Sequence, residues 1–462
     1  MNDLNALFDL QKNNRWNISR SSAFERIKKL KKLKDEIVRR REDVKLAIFK
    51  DFKKPYAESE LTEIHTVLDE INFAAKYLKC WMKPKRVSTP ITLLGSRSEI
   101  HYEARGIVLI LSPWNYPFAL LINPLIAAVA AGNCVIARPS EKTPHTGVIL
   151  KEIIEAVFNE NEVAMVLGEV DVAEKLLELP FDHIFFTGST NVGKKVMIAA
   201  AKNLATVTLE LGGKSPVILD RDVNLEQAVE KLVWGKYINA GQTCVAPDYL
   251  FIPEELKNTF ILQFKRQVAK SYGENSIERK NNSDFARLID LGSFNRLTKK
   301  IEKENDLIGD LTSSDDYFLP PILLETTLTS PIMEDEIFGP IMPIILYKDI
   351  ENVLSYIQSG PKPLALYVFS NKKEFIRSIL SSTSSGGVVV NGVIIHLANP
   401  RLPFGGVGHS GQGSYHGHFG FKAFSHEKSV LRERKFSLLP LYYPPYSSAL
   451  NKMAFKLLRL FE

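Results

Sequence analysis

At 462 residues, with 45% apolar and 24% charged side chains, the chain exceeds what one hydrophobic core supports and predicts an ordinary globular protein of two or three subdomains. A formal charge of +6 is small for this length, and no basic stripe carries exposed aromatics, which argues against a nucleic-acid partner. The three cysteines, Cys80, Cys134 and Cys244, have no paired spacing, which argues against a disulfide framework and for a reducing compartment, expected to be the cytoplasm. Residues 1–80 carry helical periodicity rich in Lys and Glu, consistent with two or three surface-lying helices. No basic region followed by an apolar stretch opens the chain, so no signal peptide is expected. The basic run 28–41 is broken by Asp35 and Glu36 and reads as a solvated helix face. Between 86 and 103, Ile91, Leu93, Ile100 and Tyr102 predict an extended, hairpin-like excursion. Strand and helix signals then alternate: strand 106–111, helix 120–131, strand 134–137, a helix from about 146, strand 183–186 and helix 192–202. The run 120–131 is the most apolar, but it holds Asn123 and Pro124 and is too short to span a bilayer. Such alternation predicts an α/β domain with a doubly wound parallel sheet. A second α/β unit is expected from about Glu210, with strands 216–219 and 249–252 and an end near 388–391. A glycine-rich stretch, 397–428, leads into a tail with a last helix.

Chemistry concentrates in a few segments. Cys244 follows a glycine turn, Gly241-Gln242-Thr243-Cys244-Val245-Ala246. A free cysteine is ordinarily a small buried hydrophobe with a pKa of about 8.5, whereas a nucleophile needs an accessible turn and a nearby proton acceptor. Glu210 closes the apolar strand 206–209 just before Gly212-Gly213. Partial desolvation there raises a carboxyl toward the range of a general base, while the alternative is a surface turn glutamate. Asn115, in Ser112-Pro113-Trp114-Asn115-Tyr116-Pro117, follows the first strand of the α/β unit. Its carboxamide suits a developing oxyanion, with the Cys244 backbone N–H as a second donor, although alone it reads as a turn former. Phe186-Thr187-Gly188-Ser189-Thr190-Asn191-Val192-Gly193 lies between strand and helix, where backbone N–H groups and the helix dipole bind phosphate. A literal G-x-G-x-x-G occurs at Gly406-Val407-Gly408-His409-Ser410-Gly411, but too little chain follows it for a dinucleotide-binding unit. His409, His416, His418 and His426 bunch without acidic or thiol ligands at metal spacing, so no metal site is expected. Cys80 and Cys134 read as packing residues.

Together these segments resemble the NAD(P)-dependent aldehyde dehydrogenase superfamily. The matching stretches are Pro113-Trp114-Asn115-Tyr116-Pro117, Arg138-Pro139-Ser140-Glu141, Phe186-Thr187-Gly188-Ser189-Thr190, Glu210-Leu211-Gly212-Gly213-Lys214, Gly241-Gln242-Thr243-Cys244 and Glu336-Ile337-Phe338-Gly339-Pro340. The likeness runs from roughly residue 15 to 430. Tyr272-Gly273-Glu274, Leu402-Pro403-Phe404-Gly405-Gly406-Val407-Gly408 and Tyr443-Pro444-Pro445-Tyr446 look like its dimeric, class-three branch. The resemblance implies that Cys244 attacks an aldehyde to give a thiohemiacetal, that Asn115 and the Cys244 N–H hold its oxyanion, and that a thioester is left after oxidation. Glu210 would then activate the hydrolytic water. It further implies NAD and/or NADP as cofactor. Arg138, Ser140 and Glu141 would meet the adenosine, Thr187, Gly188, Ser189 and Gly193 the pyrophosphate, Glu336 the nicotinamide ribose, and Phe338 the ring. Tyr116, Trp234, Ile238, Thr243 and Phe404 would line an apolar aldehyde tunnel.

The domains expected on this basis are a cofactor domain of 1–82 and 101–209, a catalytic domain of 210–396, a bridging arm of 83–100 and 397–428, and a tail of 429–462, assembled as a homodimer. One departure stands out: the family usually has lysine where this chain has Arg138, and a guanidinium fork grips phosphate better, which points to NADP use alongside NAD. In the tail, Leu450, Met453, Ala454, Leu457, Leu458 and Phe461 form one helical stripe with Lys452, Lys456 and Arg459 outside it. Packing on the protein body is the expected role, with peripheral membrane contact as the alternative. Two other functions compete with aldehyde oxidation. A CoA-acylating reductase of the same superfamily would not need Glu210, and a silent structural or binding scaffold would not need Cys244, Glu210 and Asn115 together.

Overall fold

The computed structural model describes residues 4–302, 304, 307–308, 316–433, 443–446 and 448–458. Strands Ile107–Leu111 and Cys134–Arg138 are buried at every position, as strands covered by helices on both faces must be. They belong to a six-stranded sheet ordered Gly411–Gln412, Thr206–Leu211, His183–Gly188, Ile107–Leu111, Cys134–Arg138, Val163–Met165. All neighbours are parallel except the first pair. From Ile107–Leu111 the chain first winds one way and then the other, so the carboxyl ends of that strand and His183–Gly188 flank a topological switch point.

A second sheet of seven strands runs Leu307–Ile308, Ile322–Glu325, Ile341–Tyr347, Tyr249–Pro253, Pro216–Leu219, Ala365–Phe369, Gly387–Val390, and it too is parallel apart from its first pair. A third, antiparallel sheet joins Lys85–Val87, Ser96–Ala104 and Ser425–Glu433. The expected doubly wound α/β architecture is therefore present twice. None of the described helices is long and apolar enough to cross a membrane.

Three expectations need adjusting. The N-terminal region forms more helix than foreseen: Leu4–Ser19, Ala23–Arg39, Arg41–Phe52, the short Tyr56–Ser59 running into a π-helical turn Glu60–Ile64, and His65–Trp81. These helices are not merely superficial, because Leu30, Leu33, Ile37, Ile48, Ile64 and Ile71 enter the same core as helix Ala119–Ala131, apolar but for Asn123. Their lysines and glutamates mask a narrow apolar stripe that does the packing.

The strand expected to stop at 209 continues to Leu211, so a boundary at 209/210 would cut it. Gly411 pairs with Glu210, and the Leu211 N–H donates to the Ser410 carbonyl. That pairing comes from a segment two hundred residues downstream, about which local sequence is silent. For the same reason the stretch 397–428 does not act as one arm. Gly411–Gln412 joins the cofactor-side sheet, helix Gly417–Ala423 sets Gly420 against Ala127, and only from Ser425 does the chain enter the three-stranded sheet. In the tail, helix Ala449–Leu458 is present and Met453 is exposed. The side chains of Leu450, Ala454, Leu457 and Leu458, and all of Arg459 and Phe461, lie outside the described residues.

Candidate active site

The turn carrying Cys244 joins helix Leu225–Tyr237 to strand Tyr249–Pro253. Between them Asn239, Ala240 and Gly241 hold φ of 54°, 52° and 74° in succession. Left-handed conformations at two non-glycine residues persist only where surroundings over-determine them. Here the Asn239 side chain donates to the backbone carbonyls of Asn115 at 2.9 Å and Gln242 at 3.1 Å, and its N–H donates to Glu58 at 2.9 Å. The Gln242 amide donates to the Asn239 and Arg287 carbonyls and accepts the Ile289 N–H. Gly241 is required sterically as well as conformationally, since a Cβ there would fall 2.3 Å from the Gly339 carbonyl oxygen. The Ala246 N–H closes the turn on the Thr243 carbonyl at 2.9 Å, leaving Cys244 at its corner and partly accessible.

Asn115 reaches the same turn from the other sheet, its Nδ2 donating to the Gln242 carbonyl at 3.0 Å. Beside it the Tyr116 hydroxyl and Thr243 Oγ1 share a hydrogen bond of 2.6 Å. Glu210 approaches from within strand Thr206–Leu211 rather than from a turn, is almost fully buried, and has both carboxyl oxygens without a hydrogen-bond partner. Burial alone drives its pKa well above the ordinary carboxyl value. Burial likewise pushes the Cys244 thiol up to about 12, and Glu336 and Glu210 are the charges that add to it. The Asn115 amide is thus bonded to the turn that carries Cys244, and the Glu210 carboxyl lies within electrostatic reach of its thiol.

Glu210 is not the only unpaired group. Ser112 Oγ, Thr187 Oγ1 and Arg138 Nε are also buried and unpartnered. With Glu210 they sit at the carboxyl ends of four adjacent parallel strands, in a row across the switch point. Buried polar atoms are rarely left unpaired, so a row of them marks where a polar ligand belongs. Helix Thr190–Lys202 opens at the same edge, with Ser189 capping it by accepting the Val192 N–H. Gly193 brings that helix against Leu211, where a Cβ would come within 2.7 Å of the side chain. Gly188 is equally confined, by the Phe186 ring.

Following strand Cys134–Arg138, the Arg138 guanidinium donates to Glu141 at 2.7 Å and to the Gly168 carbonyl at 2.8 Å, and Ser140 is buried beside them. Across the cleft, the Glu336 carboxyl lies over Gly212, so close that a Cβ there would be 2.0 Å from Oε2. Burial and then Asp248 raise Glu336 from 4.5 to about 8. Phe338 meets Trp114 edge-on at 5.4 Å. The row of unpartnered polar atoms and the glycine-lined start of helix Thr190–Lys202 fit a dinucleotide.

The expected tunnel residues divide. Thr243 lies in the Cys244 turn and is bonded to Tyr116, Ile238 is buried a few residues ahead of it, and Phe404 packs on Tyr415 at 5.7 Å. Trp234 is 45% exposed on its helix. Cys134 is buried in its strand as a packing residue, whereas Cys80 is exposed on helix His65–Trp81. The glycine-rich match Gly406 to Gly411 forms a tight bend at the sheet edge, where a Cβ on Gly406 would overlap the Ser410 carbonyl. Asn239 just ahead of the cysteine motif and Gln242 within it carry the turn's backbone, a role that their residue types alone do not signal. The sequence reading also missed Tyr367, whose hydroxyl donates to the Val245 carbonyl, and nothing in its own segment signals that contact.

A family model described as the aldehyde dehydrogenase family matches residues 3–430. The 4,4'-diaponeurosporen-aldehyde dehydrogenase of Staphylococcus aureus is 42% identical over 91% of this chain and 92% of its own. A dimeric NADP-preferring aldehyde dehydrogenase of Rattus norvegicus is 41% identical over 88% of this chain and 89% of its own. A solved structure, the substrate-bound state of a Staphylococcus aureus AldH, superposes with a TM-score of 0.95 at 39% identity, covering 100% of both chains.

Proposed function

The chain belongs to the aldehyde dehydrogenase family and oxidises aldehydes to carboxylic acids with NAD or NADP, and we propose that Cys244, Asn115 and Glu210 carry that reaction in turn. The Cys244 sulfur, as thiolate, adds to the aldehyde carbon, and the oxyanion so formed takes hydrogen bonds from Asn115 Nδ2 and the Cys244 N–H. When bound, NAD or NADP supplies the acceptor for the hydride leaving that carbon and a positive ring that offsets the nearby carboxylates. Cys244 is left as a thioester. Glu210 then removes a proton from the attacking water, the C–S bond breaks, and the acid departs as the thiol is restored.

Arg138, Ser140, Glu141, Thr187, Gly188, Ser189 and Gly193 would hold the adenosine and pyrophosphate side of the cofactor. Glu336 and Phe338 would hold the nicotinamide side. Tyr116, Ile238, Thr243 and Phe404 would contact an apolar aldehyde. The same reading makes the chain a cytoplasmic homodimer, in keeping with the Rattus norvegicus relative described as dimeric.

The observation that carries this reading is the buried, unpartnered Glu210 carboxyl within electrostatic reach of the Cys244 thiol. A CoA-acylating enzyme has no use for such a base beside its thioester. The test is NAD(P)H production across an aldehyde panel. Cys244→Ser is expected to be inactive, and Glu210→Gln to accumulate a thioester visible by intact mass. Turnover by the serine variant, or glutamine-variant protein that hydrolyses its thioester at the parent rate, overturns the assignment.

A further inference from the structure

Behind the wall formed by Tyr116 and Thr243 lies an ion pair that the reaction above does not use. Lys54 and Glu63 are both 0% exposed, and the Lys54 ammonium donates to Glu63 Oε1 at 2.9 Å. An ion pair sealed from water is seldom more stabilising than hydrocarbon of the same shape, so its presence calls for a geometric reason. Each partner has one. Glu63 Oε2 accepts the backbone N–H groups of Phe118 at 3.1 Å and Ala119 at 2.9 Å. Helix Ala119–Ala131 has phenylalanine at its cap position and no side-chain cap of its own, so Glu63 caps it from more than fifty residues away. That fixes the chain three residues beyond Asn115. The Lys54 ammonium, for its part, stands 3.7 Å from the centroid of the Tyr116 ring, the ring whose hydroxyl is bonded to Thr243. Glu63 itself sits in the π-helical turn Glu60–Ile64, a local distortion of the kind that gathers at functional sites.

Resting on the assignment of Cys244 and Asn115 made above, we propose that the Lys54–Glu63 pair is a positioning device for the oxyanion-binding loop. Glu63 fixes the height of the loop 113–118 through its backbone, and Lys54 fixes its rotation through the Tyr116 ring. The loop then meets the Cys244 turn in register, at the Asn115–Gln242 and Tyr116–Thr243 hydrogen bonds. Neither residue touches the aldehyde. A loosened loop weakens an interaction made chiefly in the transition state, so the rate falls while binding is spared.

The experiment measures single-turnover NAD(P)H formation, KM for an aldehyde, alkylation of Cys244 by iodoacetamide without cofactor, and the melting curve. Single variants are Lys54→Met and Glu63→Gln, with Tyr116→Phe as a reference background alone and combined with Lys54→Met. Expected are a rate loss of about tenfold or more in each single variant, KM within about threefold of the parent, and Cys244 alkylated at close to the parent rate. In the Tyr116→Phe background, Lys54→Met should cost no more than about threefold, because its route through the hydroxyl is already cut. The proposal fails if either folded single variant keeps its rate within twofold, or if the losses simply multiply in the double variant. It also fails if KM, alkylation and rate decline together, or if neither single variant folds, since the pair would then serve stability alone. Cys244→Ser run alongside keeps the two readings apart: activity in that variant sinks the assignment of the nucleophile, whatever the Lys54 series shows.

Discussion

Glu210 cannot be both a carboxylate and well buried at low cost, and that conflict sets an observable. A general base works ionised, and burial lifts this carboxyl well above its ordinary range. Thioester hydrolysis should therefore switch on with rising pH at values higher than an exposed glutamate would give. A pH profile of the deacylation rate checks this, and in Glu210→Gln that limb should be absent. At Arg138 the guanidinium is already engaged by Glu141 and the Gly168 carbonyl. A ribose phosphate would compete with Glu141 for the same fork, and Lys would offer it one hydrogen bond fewer. Arg138→Lys should lower the NADP-to-NAD ratio of kcat/KM by about tenfold or more, the worth of one charge-assisted bond. An unchanged ratio removes Arg138 from cofactor choice. At this scale much was legible, because Cys244, Glu210 and Asn115 announce themselves by chemical type beside glycine or proline turns. Asn239, Gln242 and Tyr367 did not, since each works through a carbonyl belonging to another part of the chain.

Elements show where that legibility stops. Strands Pro216–Leu219 and Tyr249–Pro253 are plain apolar runs and were readable as such, because burial on both faces leaves few other residue choices. Strand Thr206–Leu211 was readable only up to the point at which a remote segment extends it, and the N-terminal helices hid their buried stripe under lysine and glutamate. The turn Ile238–Gly241 shows the same dependence on context, since its strained residues are held by the Glu58 carboxylate of an N-terminal helix and the Asn115 carbonyl of the other sheet's loop. Gly241→Ala adds a methyl group 2.3 Å from a carbonyl oxygen at a φ of 74°. It should destabilise the protein by about 1–3 kcal/mol in denaturant unfolding and reduce the reactivity of Cys244. A variant as stable and reactive as the parent would show that the turn relaxes freely.

For the whole molecule, the cleft between the two parallel sheets stores electrostatic work. Glu336 is held at about 8 against an ordinary 4.5 by burial and then Asp248. Below pH 4.5 the carboxyl is protonated folded or unfolded, and its contribution to stability is intact. Between 4.5 and 8 unfolding releases a proton that the folded cleft retains, so stability drains away as pH rises. Glu336→Gln should match the parent's melting temperature near pH 4.5 and exceed it by a few degrees at pH 9, as differential scanning calorimetry would show. The tail is a separate question of the same scale. Packing of helix Ala449–Leu458 on protein predicts that the intact chain does not sediment with anionic liposomes. Sedimentation that disappears on deleting residues 447–462 would place lipid there instead. Neither the cleft's electrostatics nor the tail's surroundings can be read locally, because each depends on what distant segments bring alongside.

The Asn239 carboxamide reaches from the catalytic sheet to the Asn115 carbonyl, while Asn115 reaches back to Gln242. These reciprocal bonds rivet the Asn115 loop of one parallel sheet to the Cys244 turn of the other. A hinge motion between the two parallel sheets would turn about these bonds and leave the Asn115 loop in register with the Cys244 turn.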